Sequence, residues 1–370
     1  MAERKMIKIN KTLRKFIQIM LAVTMLATMS LPISASAKKA VKKPIGVLSA
    51  KYNAVSKDGS WSWDSKTLTL RLKNCRIKTK DPYGCIVPDG TKVIISGKNV
   101  ISSDRVALWC NGTMTIKGKG TLKLKSKHDT ALTTDENLRI NGGKIYAHTK
   151  SKYASPVVID KSLNIYKGLL RVNNHKSGSG IEVGKTIRVY KGKLRSESST
   201  DNAVEIFAGK AIYLYGGLIR GKASGKTSYG VWSDGGIYVK GGKLRAYSPN
   251  VESDSYGIGC VAKKTFKITG GNVKANGNLT ALAAWNRVIS TNNRERHKVN
   301  PSLIISKRMK VSSGAKVRNT LVSQRYHGVG ARSDDYICEK FCVLGTTYFS
   351  YSYDNFRFTN TLRKATIRAK

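Results

Sequence analysis

Arg171, Arg195, Arg220 and Arg245 recur every 24 or 25 residues, and Lys274 follows 29 residues after the last of them. The planar fork of arginine suits a carboxylate or phosphate, so a row of forks suits an anion with many charges. Tyr166, Tyr190 and Tyr215 recur at the same spacing, as do Tyr213 and Tyr238. Flat rings can pack on sugar faces, although tyrosine also favours strands and stacks on itself. Glu182 and Glu205 lie 23 residues apart and, as neighbours, would make a carboxylate pair. Such a pair could bind calcium, serve as acid and base, or be neutralised by Lys185 or Lys210. No serine or cysteine nucleophile motif accompanies them, and the glycines lack the strand-to-helix setting of a nucleotide loop.

A repeat must position these residues. LRINGGKIYA, from Leu138, is rewritten every 24 to 29 residues as LNIYKGLLRV, IRVYKGKLRS, IYLYGGLIRG, IYVKGGKLRA and FKITGGNVKA, with MTIKGKGTLKL upstream from Met114. Each copy is two apolar residues one apart, a glycine-bearing kink and a second alternating run. Period-two alternation means strand, and the glycines permit the bend. A second element recurs out of phase: ALTTD, VVIDK, GIEVGK, AVEIFAGK, GVWSDGG and GIGCVAKK. Short strands repeated in coils of about 25 residues predict an all-β fold, a parallel β-helix or β-solenoid with capped ends. Parallel crossovers make it right-handed.

In such a fold equivalent residues stack into columns. The residue after the second-run apolar residue points outward, giving Tyr146, Arg171, Arg195, Arg220, Arg245 and Lys274. Like charges on neighbouring strands destabilise a sheet, and a multivalent anion lying along them would remove that cost. The first run supplies Arg139, Asn164, Arg188, Tyr213, Tyr238 and Lys267, and one step on Asn141, Tyr166, Tyr190, Tyr215, Lys240 and Thr269. Rings and guanidiniums are expected on one sheet. The out-of-phase element gives Thr133, Val158, Glu182, Glu205 and Trp232, with Asp135, Asp160 and Asp234 at the following turn, where turn chemistry favours aspartate.

Residues 1–37 read as a signal peptide. Lys5, Lys8, Lys11, Arg14 and Lys15 form a basic leader, Phe16 to Ile33 is apolar, and Ala35-Ser36-Ala37 supplies small residues for cleavage. No later segment is apolar enough to span a bilayer, so a secreted, extracellular product is expected, with wall association a further option. The chain holds 67 basic and 22 acidic residues; past the leader 61 against 21 remain, a net of +40. That far exceeds what solubility requires and draws polyanions. For an exported protein these are acidic polysaccharides and wall phosphate polymers, with no specific nucleic acid implied. Of six cysteines, Cys75 with Cys85 and Cys338 with Cys342 are close enough to pair locally. Cys110 and Cys260 are expected as buried core thiols.

In chain order, 38–60 reads as a basic linker, 61–285 as the β-helix with its N-terminal cap, including Trp61 and Trp63, and 286–370 as C-terminal closing strands. WSWDSKTLTLRL from Trp61, IVPDGTKVIISGKNVI from Ile86 and ALWCNGTMTIKGKGTL from Ala107 resemble secreted bacterial β-helix proteins described as carbohydrate-binding-domain proteins, of the pectate-lyase-like superfamily. The resemblance covers roughly residues 61 to 285. It implies attachment to plant or wall polysaccharide, commonly acidic and sometimes with bound calcium.

Lyases of that superfamily use an acidic calcium-binding cluster with a catalytic arginine, and this chain has arginines without such a cluster. Polygalacturonases carry paired aspartates, then His-Gly, then Arg-x-Lys; here His327-Gly328 precedes Asp334-Asp335, so the order is wrong. The expectation is a non-catalytic binder of an acidic, pectin-like polysaccharide. Its rivals are an electrostatic wall or adhesion protein without sugar specificity and a calcium-dependent lyase.

Overall fold

The computed structural model describes residues 44–173, 178–201, 203–225, 227–249, 256–278, 280–290, 301–325, 336–352, 355–361 and 363–370. The leader expected over 1–37 lies outside them. So do the polar and charged stretch NNRERHK, residues 292–298 of the sequence, and the His327-Gly328 and Asp334-Asp335 pairs.

Each coil contributes three strand runs. In one coil these are a first run, Thr186–Val189, a second, Lys193–Ser198, and a third, Val204–Ala208. Every run pairs in parallel with its counterpart in the next coil. Ile187 lies beside Ile212, then Ile237, then Phe266. Leu194 lies beside Ile219, Leu244 and Val273, and Ile181 beside Ile206, Val231, Cys260 and Leu282. The result is an all-β parallel solenoid of about 8 turns with coils of about 25 residues. Alternation does the rest: each residue in these stacks is at most 1% exposed, while the residues between them face out.

The corner between first and second runs is a column of glycines. Gly217 has φ of +69°, and a Cβ there would stand 2.1 Å from the Gly192 carbonyl oxygen of the preceding coil. Only glycine satisfies both demands. In three earlier coils the two runs form one bent strand: Met114–Ser126, Leu138–Thr149 and Ser162–Asn173.

The ends differ from expectation in two respects. The stretch read as a linker joins the solenoid from residue 44. Gly46–Val47 pairs in parallel with Cys85 and Ile86, and Ile45 and Leu48 are buried, because apolar residues interrupt the lysines there and cover the first coil. Ala54–Val55 pairs antiparallel with Trp61–Asp64, which pairs antiparallel with Thr69–Lys73. Trp63 is buried, and its indole N–H donates to the Ser49 carbonyl at 2.8 Å. At the other end Ser302–Ile305 continues the parallel first-run sheet beside Thr265–Ile268, so it is a further rung. Lys364–Ala369 and Tyr336–Ser352 then pair antiparallel with the second and third runs.

Cys75, Cys85, Cys110 and Cys260 are all buried, and they pack as small apolar groups in the core. Burial pushes the Cys85 and Cys260 thiols up, and that of Cys110 up to about 12. The Cys342 thiol donates to the Pro301 carbonyl at 3.0 Å, and the side chain of Cys338 lies outside those described.

Candidate functional site

The second-run sheet carries the arginines. In Lys193–Ser198 the residues Leu194, Ser196 and Ser198 point inward, which leaves Lys193, Arg195 and Glu197 outside. Register fixes the neighbours: Lys123, Tyr146, Arg171, Arg195, Arg220, Arg245 and Lys274 stand directly beside one another in that order. Adjacent rungs are about 4.8 Å apart, so from Arg171 to Lys274 the column is a ladder of cations at strand spacing.

Each arginine is held differently. Nε of Arg171 donates to Asn173 Oδ1 at 2.7 Å. Nη1 of Arg245 donates to the Leu244 and Asn272 carbonyls and to Asn272 Oδ1, each at 3.1 Å. Arg220 and Lys222 share Glu197, at 4.0 and 3.8 Å. The Nε atoms of Arg195 and Arg220 are buried and make no hydrogen bond among the described residues. A packed guanidinium layer with orphaned donors and like charges side by side costs stability that the fold alone does not require. On the three outward columns of this sheet, from Arg76 to Lys274, Glu197 is the one acidic residue among those described.

The first-run sheet carries the rings. Tyr166 stacks on Tyr190 with centroids 4.9 Å apart, and Tyr190 on Tyr215 at 5.0 Å. Tyr215 meets Tyr213 at 6.1 Å, and Tyr213 stacks on Tyr238 at 4.9 Å. Five rings thus form one continuous ladder. Arg188 lies over Tyr213 at 5.6 Å and Lys240 over Tyr215 at 5.2 Å, which lends the ladder a cationic margin. Tyr166 enters it through a bulge: Ile140 opposes Ile165 but Asn141 opposes Lys167, so the expected Asn141–Tyr166 step does not exist. Rings and guanidiniums belong to one hydrogen-bonded sheet, as expected. They stand on successive runs on either side of the glycine corner, because Gly217 and its equivalents turn the chain between them.

The carboxylate pair is not formed. Glu182 stands opposite Phe207, and Glu205 sits inside the solenoid, fully buried. Ser196 Oγ donates to Glu205 Oε2 at 2.6 Å and Ser198 Oγ to Oε1. Glu182 accepts from Ser155 at 3.2 Å. Among the described residues no three His, Cys, Asp or Glu side chains meet so as to hold a metal ion. The turn aspartates have partners that the sequence does not disclose: the indole N–H of Trp109 donates to Asp135, and that of Trp232 to Asp234, both at 2.9 Å.

A family model described as carbohydrate-binding domain-containing protein matches residues 61–292. The chain belongs to that family. No curated protein and no solved structure matches it. The matched stretch takes in the arginine column and the tyrosine ladder. Among the described residues no helix is long and apolar enough to cross a membrane.

Proposed function

We propose that this member of the carbohydrate-binding family is a secreted, non-catalytic protein that binds an acidic polysaccharide. The polymer, of the polygalacturonate type, lies along the second-run sheet with its acid groups on Arg171, Arg195, Arg220, Arg245 and Lys274. The tyrosine ladder across the glycine corner offers Tyr166, Tyr190, Tyr213, Tyr215 and Tyr238 to sugar rings. The observation that carries this reading is the register that sets four arginines side by side. The likeness to the pectate-lyase-like superfamily, with right-handed coils, supports the choice of a uronic-acid polymer. Residues 1–37 would direct export.

The net charge of +45 favours one other reading, attachment to any anionic wall polymer without sugar specificity. The decisive test is retention on insoluble pectate of the full chain and of the variant with Arg171, Arg195, Arg220 and Arg245 all changed to Gln. The variant is expected to keep its circular dichroism and to lose at least tenfold in affinity. Equal retention would overturn the assignment of this face. Ultraviolet-absorbing unsaturated products that appear only with calcium would make the protein a lyase.

A further inference from the structure

Toward the N-terminal end of the second-run sheet lies an open depression of about 630 Å³. Its shape follows from the sequence. Val100 and Thr121 are short side chains, and the longer Arg76, Lys98, Lys123, Lys144, Tyr146 and Arg171 rise around them. Tyr146 carries the one phenol ring of this lining, with the imidazole of His148 two residues further along the strand. Register sets Lys123 on one side of Tyr146 and Arg171 on the other, with Lys144 two residues earlier on the same strand. Where the arginine column would place another cation, the sequence places a ring. Among the described lining residues there is no carboxylate.

We propose that this depression is a subsite for one acidic sugar unit, or for the end of an acidic oligosaccharide. The pyranose face packs on the Tyr146 ring while Lys123, Lys144 and Arg171 hold the acid group. The volume falls within the range of clefts that hold small ligands, about 300–1,000 Å³. Several ammonium groups around one ring favour a single compact anion, whereas the forks further along the sheet favour a line of them. The inference rests on the reading of the protein as a binder of acidic glycans, and it adds recognition of a short ligand to attachment of a long one.

The test is a calorimetric titration of the full chain with trigalacturonate at physiological salt, run beside a neutral galactose trimer, a sulfated trimer and a short single-stranded oligonucleotide. Trigalacturonate is expected to bind and the neutral trimer not to. Tyr146→Ala and the Lys123→Gln, Lys144→Gln pair should each lose at least tenfold, while Tyr146→Phe, which keeps the ring, should bind as the wild type does. The Arg195→Gln, Arg220→Gln, Arg245→Gln variant should keep trimer binding and lose retention on pectate. Binding of the sulfated trimer as tight as that of trigalacturonate would leave the site intact and widen its ligand to any singly acidic sugar. Undiminished binding by Tyr146→Ala, equal binding of the neutral trimer, or tighter binding of the oligonucleotide would overturn the subsite. Polymer retained without trimer binding overturns the subsite alone; neither bound overturns the polysaccharide reading with it.

Discussion

Glu205 is the residue whose place departs furthest from its apparent role. A carboxylate with no solvent exposure is costly unless hydroxyls or charges meet it, and Ser196 and Ser198 donate to both of its oxygens. It therefore belongs to the core behind the second run, tied to it through Ser196 and Ser198, and not to a metal site. Glu205→Ala would leave two buried hydroxyls without that acceptor, so a loss of about 1–3 kcal/mol is expected in denaturant unfolding. Glu182→Ala, at a half-exposed position, should change stability by less than about 0.5 kcal/mol. Equal effects of the two would refute the difference in environment. The mismatch between sequence and structure has a visible cause. GIEVGK and AVEIFAGK invite alignment by their glutamates, yet the second has two more residues before its glycine. Gly184 and Gly209 are what stack, since a Cβ on Gly209 would stand 2.3 Å from the Gly184 carbonyl. Counting back from the glycines puts Phe207 beside Glu182. The arginines align correctly from sequence because a constant glycine-to-arginine interval precedes each of them.

At the level of the coil, the corner glycines decide whether ring ladder and arginine ladder keep their relation. First and second runs are legible from alternation and from the repeated GG or KG. The bend that parts tyrosines from arginines is legible only as a kink, because its angle depends on φ and on the approach of the neighbouring coil. The cationic depression is hidden for a related reason: Lys123 and Lys144 belong to copies whose corners, KGKG and NGG, differ in length, so the pairing of Lys123 with Tyr146 and of Lys144 with Thr121 emerges only from register. Two substitutions separate the demands on the corner. Gly59 has φ of +63°, and a Cβ placed on it would meet nothing within 4 Å, so Gly59→Ala carries the conformational cost alone, about 1 kcal/mol. Gly217→Ala adds a 2.1 Å approach to backbone oxygen, and backbone of the stacked coil must move to relieve it. Its thermal midpoint should fall well below that of Gly59→Ala. Similar midpoints would mean that coil stacking tolerates the extra methyl and that the corner does not constrain the two ladders.

For the whole molecule the question is whether charge acts by its total or by its position. A chain of net charge +45 attracts any polyanion, and counterion release makes such attraction fall steeply with salt. If the polymer engages the four arginines, the log of affinity against the log of salt should have a slope of roughly −3 to −4, and a plateau of binding should survive where sugars rest on tyrosine. Total charge can be held constant while its place is changed. Lys51, Lys57, Lys307 and Lys316 are exposed and lie outside the second-run sheet. Changing those four to Gln removes as much charge as changing Arg171, Arg195, Arg220 and Arg245 to Gln. Positional binding predicts that the lysine variant keeps the wild-type slope and nearly its affinity on pectate, while the arginine variant loses both. If the two variants weaken alike and their slopes coincide at every salt concentration, the surface acts as a diffuse cation, and the ladder of guanidiniums has no privileged part in binding.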